Sequence, residues 1–258
     1  MIKISGVIIT HNEEKNIEDC IKSIIGLVDE IIIVDSYSSD KTIEIAKKYE
    51  CVKIYQHSFD GFVNQKNRAV NYAENEYVLS LDADERLSKK LKNEILKIKN
   101  KLDKYDGLKI KRLTHINNKP IKHSGWYPDM KIRLWNKKSG QWEGKNIHEQ
   151  VKMSDKNAKI FDLKEEIIHY SYSSLEQFIS KNISYSKLKA KDKFERNKKF
   201  NFFTMIFKPF IKFFIVYFIK LGILDGFYGF VISVFSAFSD FYIQIFLHDK
   251  KTNEHLPS

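Results

Sequence analysis

Hydrophobic and polar positions alternate in regular blocks along the first third of the chain. Four short apolar runs, each ending in polar residues, have the pattern of buried strands: 4–10, 30–35, 52–56 and 77–81. Three segments between them place apolar residues three and four positions apart, as one face of a helix does: 16–26, 42–49 and 62–73. Strands alternating with helices predict an α/β fold with a central, mainly parallel sheet covered by helices.

The pattern changes in the second half of the chain. Short strand-like segments at 107–113, 130–135 and 166–170 are separated by polar loops. Ser173 or Ser174 can cap a helix that begins at Leu175, and the chain becomes strongly apolar from 200 to 247. We therefore divide the chain into a domain at 1–172 and a helical extension at 173–258.

The composition is that of a folded globular protein, because 43% of the 258 residues are hydrophobic and 30% are charged. Cys20 and Cys51 are the two cysteines, without the spacing of a disulfide framework or a structural zinc site. The N-terminus runs into an apolar strand pattern and lacks the regions of a signal peptide. These features predict a protein of the cytoplasm.

The net charge of +11 favours anionic partners such as phosphate-bearing substrates, anionic lipid or nucleic acid. Motifs of a recognition helix, a zinc finger or an RNA-binding sheet are not found in the sequence. We therefore do not expect nucleic acid as a partner.

Two carboxylates separated by one residue follow the fourth apolar run, at Asp82 and Asp84. Ligands of parallel sheets bind beyond the carboxyl ends of the strands, where the loops after Thr10, Asp35 and Asp82 emerge. Mg²⁺ or Mn²⁺ prefers oxygen ligands and is held by one or two carboxylates together with substrate phosphates. The pair suits a cation that binds a diphosphate, although this short motif also occurs in solvated turns.

Four segments in order resemble the nucleotide-sugar-binding domain of inverting glycosyltransferase family 2, which has the GT-A fold. They are Thr10-His11-Asn12-Glu13, Val34-Asp35-Ser36 with Ser39-Asp40, Gln65-Lys66-Asn67 and Asp82-Ala83-Asp84. Later segments resemble the subgroup that acts on the lipopolysaccharide inner core. They include Gly125-Trp126-Tyr127-Pro128-Asp129, Arg133-Leu134-Trp135, His148-Glu149, His169-Tyr170-Ser171-Tyr172 and Gly222-Ile223-Leu224-Asp225-Gly226.

The resemblance implies a nucleotide-sugar half at 1–90 and an acceptor half at 91–172. It implies transfer of glucose or another hexose from a nucleotide-diphosphate sugar, with a UDP-sugar as the expected donor. The implied acceptor is a hydroxyl of a lipopolysaccharide or lipooligosaccharide core, or of a similar glycan or glycolipid at the cell surface.

The same resemblance assigns the nucleobase pocket to Thr10, Glu13 and Asp35, with Asp35 accepting a base N–H. His11 stands where many family members have tyrosine, and an imidazole can still stack on the base. The alternative for each is a structural role in its loop.

Further along the chain, the resemblance places Lys66 near the donor phosphates, Asp82 at the ribose and Asp84 on the metal. His169 follows an apolar strand pattern and is a further metal-ligand candidate, because imidazole can ligate Mn²⁺. A structural histidine is the alternative.

Inverting transfer also needs a base to accept the acceptor proton, and we assign this role to Glu149, with Asp129 as the second candidate. The alternative is that Glu149 forms a surface salt bridge. Acceptor-binding candidates are Trp126, Tyr127, Arg133 and His148, since aromatic faces suit sugars and the guanidinium fork suits phosphate or carboxylate. Core packing accounts equally well for each of the aromatic residues, among them Trp135 and Trp142, and an ion pair accounts for Arg133.

The C-terminal extension is basic and aromatic. Between Lys181 and Lys220 there are eleven Lys or Arg residues against Asp192 and Glu195, interleaved with many phenylalanines. This pattern is typical of amphipathic helices that lie in the headgroup region of an anionic membrane. The longest charge-free stretch, 226–239, is too short to span a membrane. We therefore expect a peripheral protein on the inner face of the cytoplasmic membrane, with a homodimer through these helices as the alternative.

Two further functions compete with this interpretation. A glycosyltransferase that acts on a polyprenyl phosphate would have a similar domain and a similar membrane-seeking extension. A nucleotidyltransferase normally has a glycine-rich loop after its first strand, and residues 10–15 contain no glycine.

Overall fold

The computed structural model of the protein describes residues 2–144 and 149–253, with the backbone alone described for 251–253. The chain forms two compact units. The first takes Met1–Leu113 and Asp129–His169, and the second takes Thr114–Pro128 and Tyr170–Ser258, as far as these ranges are described. The segment 114–128 thus belongs with the helical extension, although the sequence pattern groups it with the first domain.

The first unit begins with the predicted alternation of strands and helices. The strands are β1 (Ile4–Thr10), β2 (Glu30–Asp35), β3 (Val52–Gln56) and β4 (Tyr77–Asp82). The helices between them are α1 (Ile17–Ile24), α2 (Thr42–Ala46) and α3 (Phe62–Tyr72). The four strands are parallel in the order β3-β2-β1-β4, and Thr10 pairs with Asp35 while Ile9 pairs with Asp82. The ends of β1, β2 and β4 therefore lie at one edge of the sheet, as predicted.

The helix predicted over 42–49 is shorter than expected. Asp40 Oδ1 accepts the N–H of Thr42 at 3.0 Å, which agrees with its predicted position at the helix start. The regular helix ends at Ala46, because the N–H groups of Lys48 and Tyr49 bond three residues back instead of four.

Antiparallel strands complete the sheet, so the parallel part of the fold is its first half. They are β5 (Glu85–Leu87), β6 (Gly107–Ile116), β7 (Lys119–Pro120), β8 (Asp129–Asn136) and β11 (Ile160–Tyr172). Within the described residues the sheet has nine strands in the order β3-β2-β1-β4-β8-β6-β11-β5, with β7 paired to β6. β9 (Gly140–Glu143) and β10 (Gln150–Met153) form a separate antiparallel pair.

One helix of this unit was not predicted. Helix α4 (Lys89–Ile98) begins where Ser88 Oγ accepts the N–H of Leu91 at 3.1 Å, and it buries Leu91 and Ile95. A six-residue 3₁₀ turn, Lys99–Lys104, continues it.

The core of the first unit lies on both faces of the parallel strands. Ile31 and Ile33 of β2 pack in one cluster, whereas Ile32 and Val34 pack in the other. Successive side chains of a strand point to opposite faces, so a continuous apolar run fits a strand that is covered on both sides.

Three helices form most of the second unit: α5 (Leu175–Glu195), α6 (Phe202–Phe214) and α7 (Gly226–Asn253). Ser174 Oγ caps α5 by accepting the N–H of Gln177 at 3.1 Å, which confirms the predicted start at Leu175. A π-helical turn, Ile215–Ile219, and a 3₁₀ turn, Gly222–Asp225, lead from α6 into α7.

These helices lie side by side, with contacts at both ends. Phe178 at the start of α5 packs in a cluster with Val216 and Ile232, close to the turn between α6 and α7. Ala190 near the end of α5 packs with Ile243 and Leu247 of α7. Helix α5 therefore runs along α7 from the turn to the opposite end of the bundle.

Two segments of this unit are long and apolar enough to cross a membrane, by length and composition alone. They are Phe202–Ile219, with 18 residues, and Gly222–Lys250, with 29 residues. The charge-free stretch 226–239 is thus part of a longer apolar helix. The length of this helix does not decide whether it crosses a membrane or lies on one.

Candidate active site

Asp35 ends β2 and is fully buried, held by the loop that follows it. Its Oδ2 accepts the N–H of Ser38 at 2.9 Å, its Oδ1 accepts the Ser38 hydroxyl, and Gln56 Nε2 lies 3.3 Å from Oδ2. A carboxylate fixed by three donors has a defined orientation. This suits the predicted role of recognising a base, which remains a prediction.

The loop after β1 is bonded to the loop after β2. Asn12 N donates to Ser38 Oγ, and Asn12 Oδ1 accepts the N–H of Ser39, both at 2.8 Å. Asn12 has a φ of 55°, in the left-handed region that asparagine tolerates better than most residues. The two loops that were predicted to line the nucleobase pocket are therefore held together.

The other three predicted pocket residues lie on the β1 side of these loops. Thr10 is buried, and its Oγ1 has no hydrogen-bond partner among the described residues. His11 is exposed, next to Asn12, and Glu13 Oε2 accepts a hydrogen bond from Asn16 at 2.7 Å. A buried hydroxyl without a partner fits a place where a ligand supplies the missing bond.

Lys66 is the central cation of the site. It lies on α3, is 2% exposed, and places Nζ 2.9 Å from Asp82 Oδ1 and 3.4 Å from Glu149 Oε1. The ammonium also lies over the ring of Trp142, 4.4 Å from its centroid. One buried ammonium thus joins a carboxylate from β4 to the candidate base.

Asp82 is held in its charged form. Burial raises the pKa of Asp82, but the charges of Lys66 and Arg133 outweigh that effect and hold the pKa well below its usual range. Arg133 Nη2 lies 3.6 Å from Asp82 Oδ2. The Asp82 N–H donates to Glu85 Oε2 at 3.0 Å, which fixes the backbone between the two aspartates.

Glu85 and two arginines form a buried ion-pair network behind the two aspartates. Glu85 is fully buried, and its Oε1 lies 2.6 Å from Arg133 Nη2 and 3.5 Å from Arg112 Nη1. Arg112 also bonds Asp129 Oδ2 through Nε and Nη2, at 2.9 and 2.7 Å. Burial lowers the pKa of Arg112, but Glu85 and Asp129 outweigh that effect and raise it.

Arg133 was predicted to bind an acceptor group. The structure places it 3% exposed, bonded to Glu85, with its guanidinium 5.4 Å from the centroid of the Trp142 ring. Its Nε and Nη1 have no hydrogen-bond partner among the described residues. The ion pair that the sequence analysis left as the alternative is therefore present, and two donors remain for a ligand.

Asp84 and His169 form a pair of candidate metal ligands. His169 on β11 pairs with Glu85 of β5 in the sheet register, and its Nε2 lies 3.3 Å from Asp84 Oδ2. Two ligand atoms at right angles on an octahedral ion with bonds near 2.1 Å lie about 3 Å apart. The separation therefore fits two neighbouring positions on one Mg²⁺ or Mn²⁺. Within the described ranges, no cluster of three or more acidic, histidine or cysteine side chains could hold a metal by itself.

The two candidate bases differ in their contacts. Asp129 is bonded to Arg112 and lies 3.4 Å from Lys131 Nζ. Glu149 has one oxygen near Lys66, and its buried Oε2 has no partner among the described residues. Glu149 thus has an oxygen that no described residue bonds, whereas both oxygens of Asp129 lie beside cations, and the choice of Glu149 as the base remains a prediction. His148, a predicted acceptor-binding residue, lies outside the described residues.

The aromatic candidates of the sequence form two groups in the structure: Trp135 with Trp142, and Trp126 with Tyr127. Trp135 and Trp142 pack edge to face in the core of the first unit, and Trp135 Nε1 donates to Gly140 O at 2.8 Å. Core packing therefore accounts for both. Trp126 and Tyr127, the predicted acceptor-binding pair, belong to the second unit, where Trp126 is partly buried against Phe178 and Tyr172, so that core packing is present for Trp126 as well.

Three residues of the site were not predicted: Glu85, Arg112 and Ser38. The sequence held one indication of Glu85, its acidic side chain three positions after Asp82. The pattern of hydrophobic residues did not predict that this side chain is buried. Arg112 meets Asp129 only through the register of β6 with β8. Ser38 lies in a polar turn, where one hydroxyl looks like any other.

The fold is that of a GT-A glycosyltransferase. The model of glycosyl transferase family 2 matches residues 5–153, and the chain belongs to that family. A glycosyltransferase of Rickettsia felis is 38% identical over 93% of this chain and 88% of its own length. The lipopolysaccharide core biosynthesis glycosyltransferase LpsC of Rhizobium meliloti is 27% identical over 84% of this chain and 81% of its own.

A solved structure with a similar fold is S. aureus TarS 1–349 in complex with UDP-GlcNAc. It aligns with a TM-score of 0.47 and 17% identity, covering 73% of this chain and 66% of that one. This chain therefore spans slightly less than two thirds of the TarS fragment.

Proposed function

We propose that the protein is a metal-dependent, inverting hexosyltransferase. It moves glucose or another hexose from a nucleotide-diphosphate sugar, with UDP as the nucleotide, to a hydroxyl of a lipopolysaccharide core or similar cell-surface glycan. The observation that carries this proposal is that β2 and β4, on either side of β1, end in Asp35 and Asp82 at one edge of the sheet, with Asp84 in the turn after β4, in a family 2 chain. The similarity to LpsC supports the acceptor class.

Asp84 and His169 would hold the divalent ion. When bound, such an ion stabilises the negative charge of the leaving diphosphate as a Lewis acid. Asp82 keeps its negative charge through Lys66 and Arg133, so it can accept hydrogen bonds from the donor ribose. The two donors of Arg133 without partners add positive charge beside the same carboxylates.

Glu149 acts as the general base. It takes the proton of the acceptor hydroxyl as that oxygen bonds to the anomeric carbon, and the bond from this carbon to the diphosphate breaks on the opposite side. The configuration at the anomeric carbon inverts as a result. Lys66 contacts both Glu149 and Asp82, and so it fixes the base relative to the donor side of the site.

The second unit binds the enzyme to the inner face of the cytoplasmic membrane. Phe203, Phe207 and Phe210 of α6 are 71%, 58% and 74% exposed, on one stripe of the helix. Lys208 and Lys212 lie on the opposite side of the helix, where Lys208 bonds Asp240 of α7 at 3.0 Å. Exposed aromatic side chains on one stripe suit insertion into the interfacial region of a membrane, and the lysine-rich extension as a whole is attracted to anionic lipid.

The packing of α5 supports a helix layer that lies on the membrane and does not cross it. If α6 and α7 crossed, α5 would cross with them, because it packs along α7 from one end of the bundle to the other. Helix α5 carries eight charged residues. Each would cost about 3 kcal/mol or more at the bilayer centre.

The experiment is a transfer assay with UDP-glucose and two acceptors, deep-rough lipopolysaccharide and a polyprenyl phosphate. The proposal predicts metal-dependent transfer to the lipopolysaccharide. Transfer to the polyprenyl phosphate alone would establish the second candidate function, which the exposed apolar helices also favour. Absence of transfer from any UDP-, GDP- or dTDP-hexose would contradict both.

Flotation with vesicles that contain phosphatidylglycerol tests the membrane proposal. The wild-type protein should float, whereas replacement of Phe203, Phe207 and Phe210 by serine should leave it in the soluble fraction. If the protein instead stays soluble as a dimer that the same replacements dissociate, the apolar face is a subunit interface.

A further inference from the structure

A loop of the second unit, Lys122 to Pro128, contains Trp126 and Tyr127, the aromatic pair predicted to bind the acceptor. Here it is called the aromatic loop. Ser124 and Gly125 both have positive φ, 60° and 76°, so the backbone turns sharply before the aromatic residues. Such a conformation needs contacts that hold it in place.

Asp225 supplies these contacts from the turn between α6 and α7. Its Oδ1 accepts the N–H of Lys122 at 3.1 Å and lies 2.9 Å from His123 Nδ1. Its Oδ2 accepts the N–H of His123 at 3.0 Å and the hydroxyl of Ser124 at 3.1 Å. The side chain of Asp225 is 3% exposed. Four bonds to one buried carboxylate make a strong and directional connection.

The backbone of the same turn makes a second connection. The N–H of Ser124 donates to Lys220 O at 2.8 Å. A Cβ at Gly222 would lie 2.8 Å from Val216 O and 3.1 Å from Ser124 Oγ, so only glycine fits where the turn approaches the loop. The start of the aromatic loop is therefore fixed to the turn by side chain and backbone together.

The turn itself presents apolar side chains to solvent. Ile219, Leu224 and Phe227 are each 64% to 66% exposed, and Leu221 and Ile223 are each 49% exposed. Two exposed lysines, Lys122 and Lys220, accompany them. Large apolar side chains beside lysines fit the interfacial region of an anionic bilayer.

We propose that Asp225 is a positioning residue that holds the aromatic loop at the membrane surface, and that the loop takes its acceptor from the lipid phase as a membrane-anchored glycolipid. This inference rests on the membrane association given under the proposed function. It adds that the turn between α6 and α7, which meets the lipid, also supplies the contacts that order the aromatic loop. Released glycan should then be a poor acceptor.

The first test is hydrogen exchange with vesicles of phosphatidylglycerol and phosphatidylcholine. In the wild-type protein, vesicles should slow exchange both in α6 and at the amides of Lys122 and His123. In Asp225→Asn, vesicles should still slow exchange in α6, but the two loop amides should exchange at least about tenfold faster than in the wild type, because a charged hydrogen bond is lost at each. Asp240→Asn is the matched control, since Asp240 also lies on the α6–α7 pair and bonds Lys208 at 3.0 Å.

The second test compares deep-rough lipopolysaccharide in vesicles with the core oligosaccharide released from it by mild acid. The wild type should prefer the vesicle-borne acceptor, and Asp225→Asn should raise its KM about tenfold with kcat changed less than about twofold. Asp225→Glu, which restores the charge, should recover part of the loss. Asp240→Asn should behave as the wild type.

The possible failures are distinguishable. If the protein does not bind vesicles, both the proposed membrane association and this inference are wrong. Vesicle binding with unchanged loop exchange in Asp225→Asn would overturn the positioning role alone. Equal kcat/KM of the wild type for lipid-borne and released acceptor would overturn the glycolipid assignment. If Asp225→Asn lowers the unfolding midpoint, exchange in α5 reports whether the bundle remains folded.

Discussion

The ammonium of Lys66 lies 2.9 Å from a carboxylate oxygen of Asp82, and both groups are held on elements of the first unit, α3 and β4. The same ammonium reaches Glu149, 83 positions further along the chain. This arrangement joins the donor side of the site to the candidate base, and several consequences can be measured.

Replacement of Lys66 by methionine should abolish most of the transfer activity. The methionine fills a similar volume but leaves Asp82 and Glu149 without their shared cation. We expect kcat to fall by about two orders of magnitude, since groups that position a reacting side chain contribute on that scale. Single-turnover kinetics measure this, and the exposed Lys138→Met serves as the control. A decrease of less than about threefold would remove Lys66 from the mechanism.

The charge of Asp82 should also appear in the pH dependence of stability. The pKa of Asp82 is lowered in the folded protein, so its ionisation stabilises the fold above the ordinary aspartate value of about 3.9. This stabilisation is lost as the pH falls from that value toward the lower pKa of the folded state. Asp82→Asn should therefore be less stable than the wild type at pH 7, with a difference that narrows below about pH 4. Urea unfolding across pH 3 to 7 measures it, and a constant difference would contradict the assignment.

Glu149→Gln should lower turnover far more than donor binding. The glutamine keeps the size of the side chain and can still contact Lys66, but it cannot accept the acceptor proton. We expect kcat to fall by about 10²- to 10⁴-fold, the usual contribution of a general base, with the affinity for the donor changed little. Steady-state kinetics and UDP titration measure the two quantities. An unchanged rate would transfer the base role to Asp129, and Asp129→Asn would then be the inactive variant.

Glu85→Gln should destabilise the fold. The variant removes the nearer of the two charged partners of buried Arg133 and leaves Asp82 at 3.6 Å, and breaking a buried ion pair on one side costs up to about 3–5 kcal/mol. Urea unfolding of Glu85→Gln, of Arg133→Met and of the double variant gives the coupling between the two residues. A coupling below about 0.5 kcal/mol would show that Glu85 and Arg133 are independent, contrary to the structure.

The parallel half of the sheet was predictable from the sequence, and the antiparallel half was not. The ends of β1, β2 and β4 could be predicted, because a buried parallel strand is a continuous apolar run and the polar residue after it marks the edge of the sheet. The positions of Asp35 and Asp82 followed from that rule alone. The pairing of Glu85 with Arg133 could not be predicted, because it depends on the antiparallel half of the sheet, whose strands pair out of sequence order.

The roles of Trp135 and Trp142 could not be predicted from the sequence either. An aromatic side chain suits a core and a sugar platform equally well, and burial alone separates the two roles. Burial in turn depends on β8 and β9, where the sequence shows only short mixed patterns.

Manganese binding shows whether the carboxylates at the strand ends hold a cation for a leaving diphosphate. Electron paramagnetic resonance can titrate Mn²⁺ into the protein in the presence of UDP, for the wild type, Asp84→Ala and the control Asp60→Ala. We predict that the wild type and Asp60→Ala bind one Mn²⁺ with UDP. Asp84→Ala should bind it at least about tenfold more weakly, because even indirect partners of a metal ion contribute that much. Equal Mn²⁺ affinity of the wild type and Asp84→Ala would show that Asp84 does not hold the metal ion.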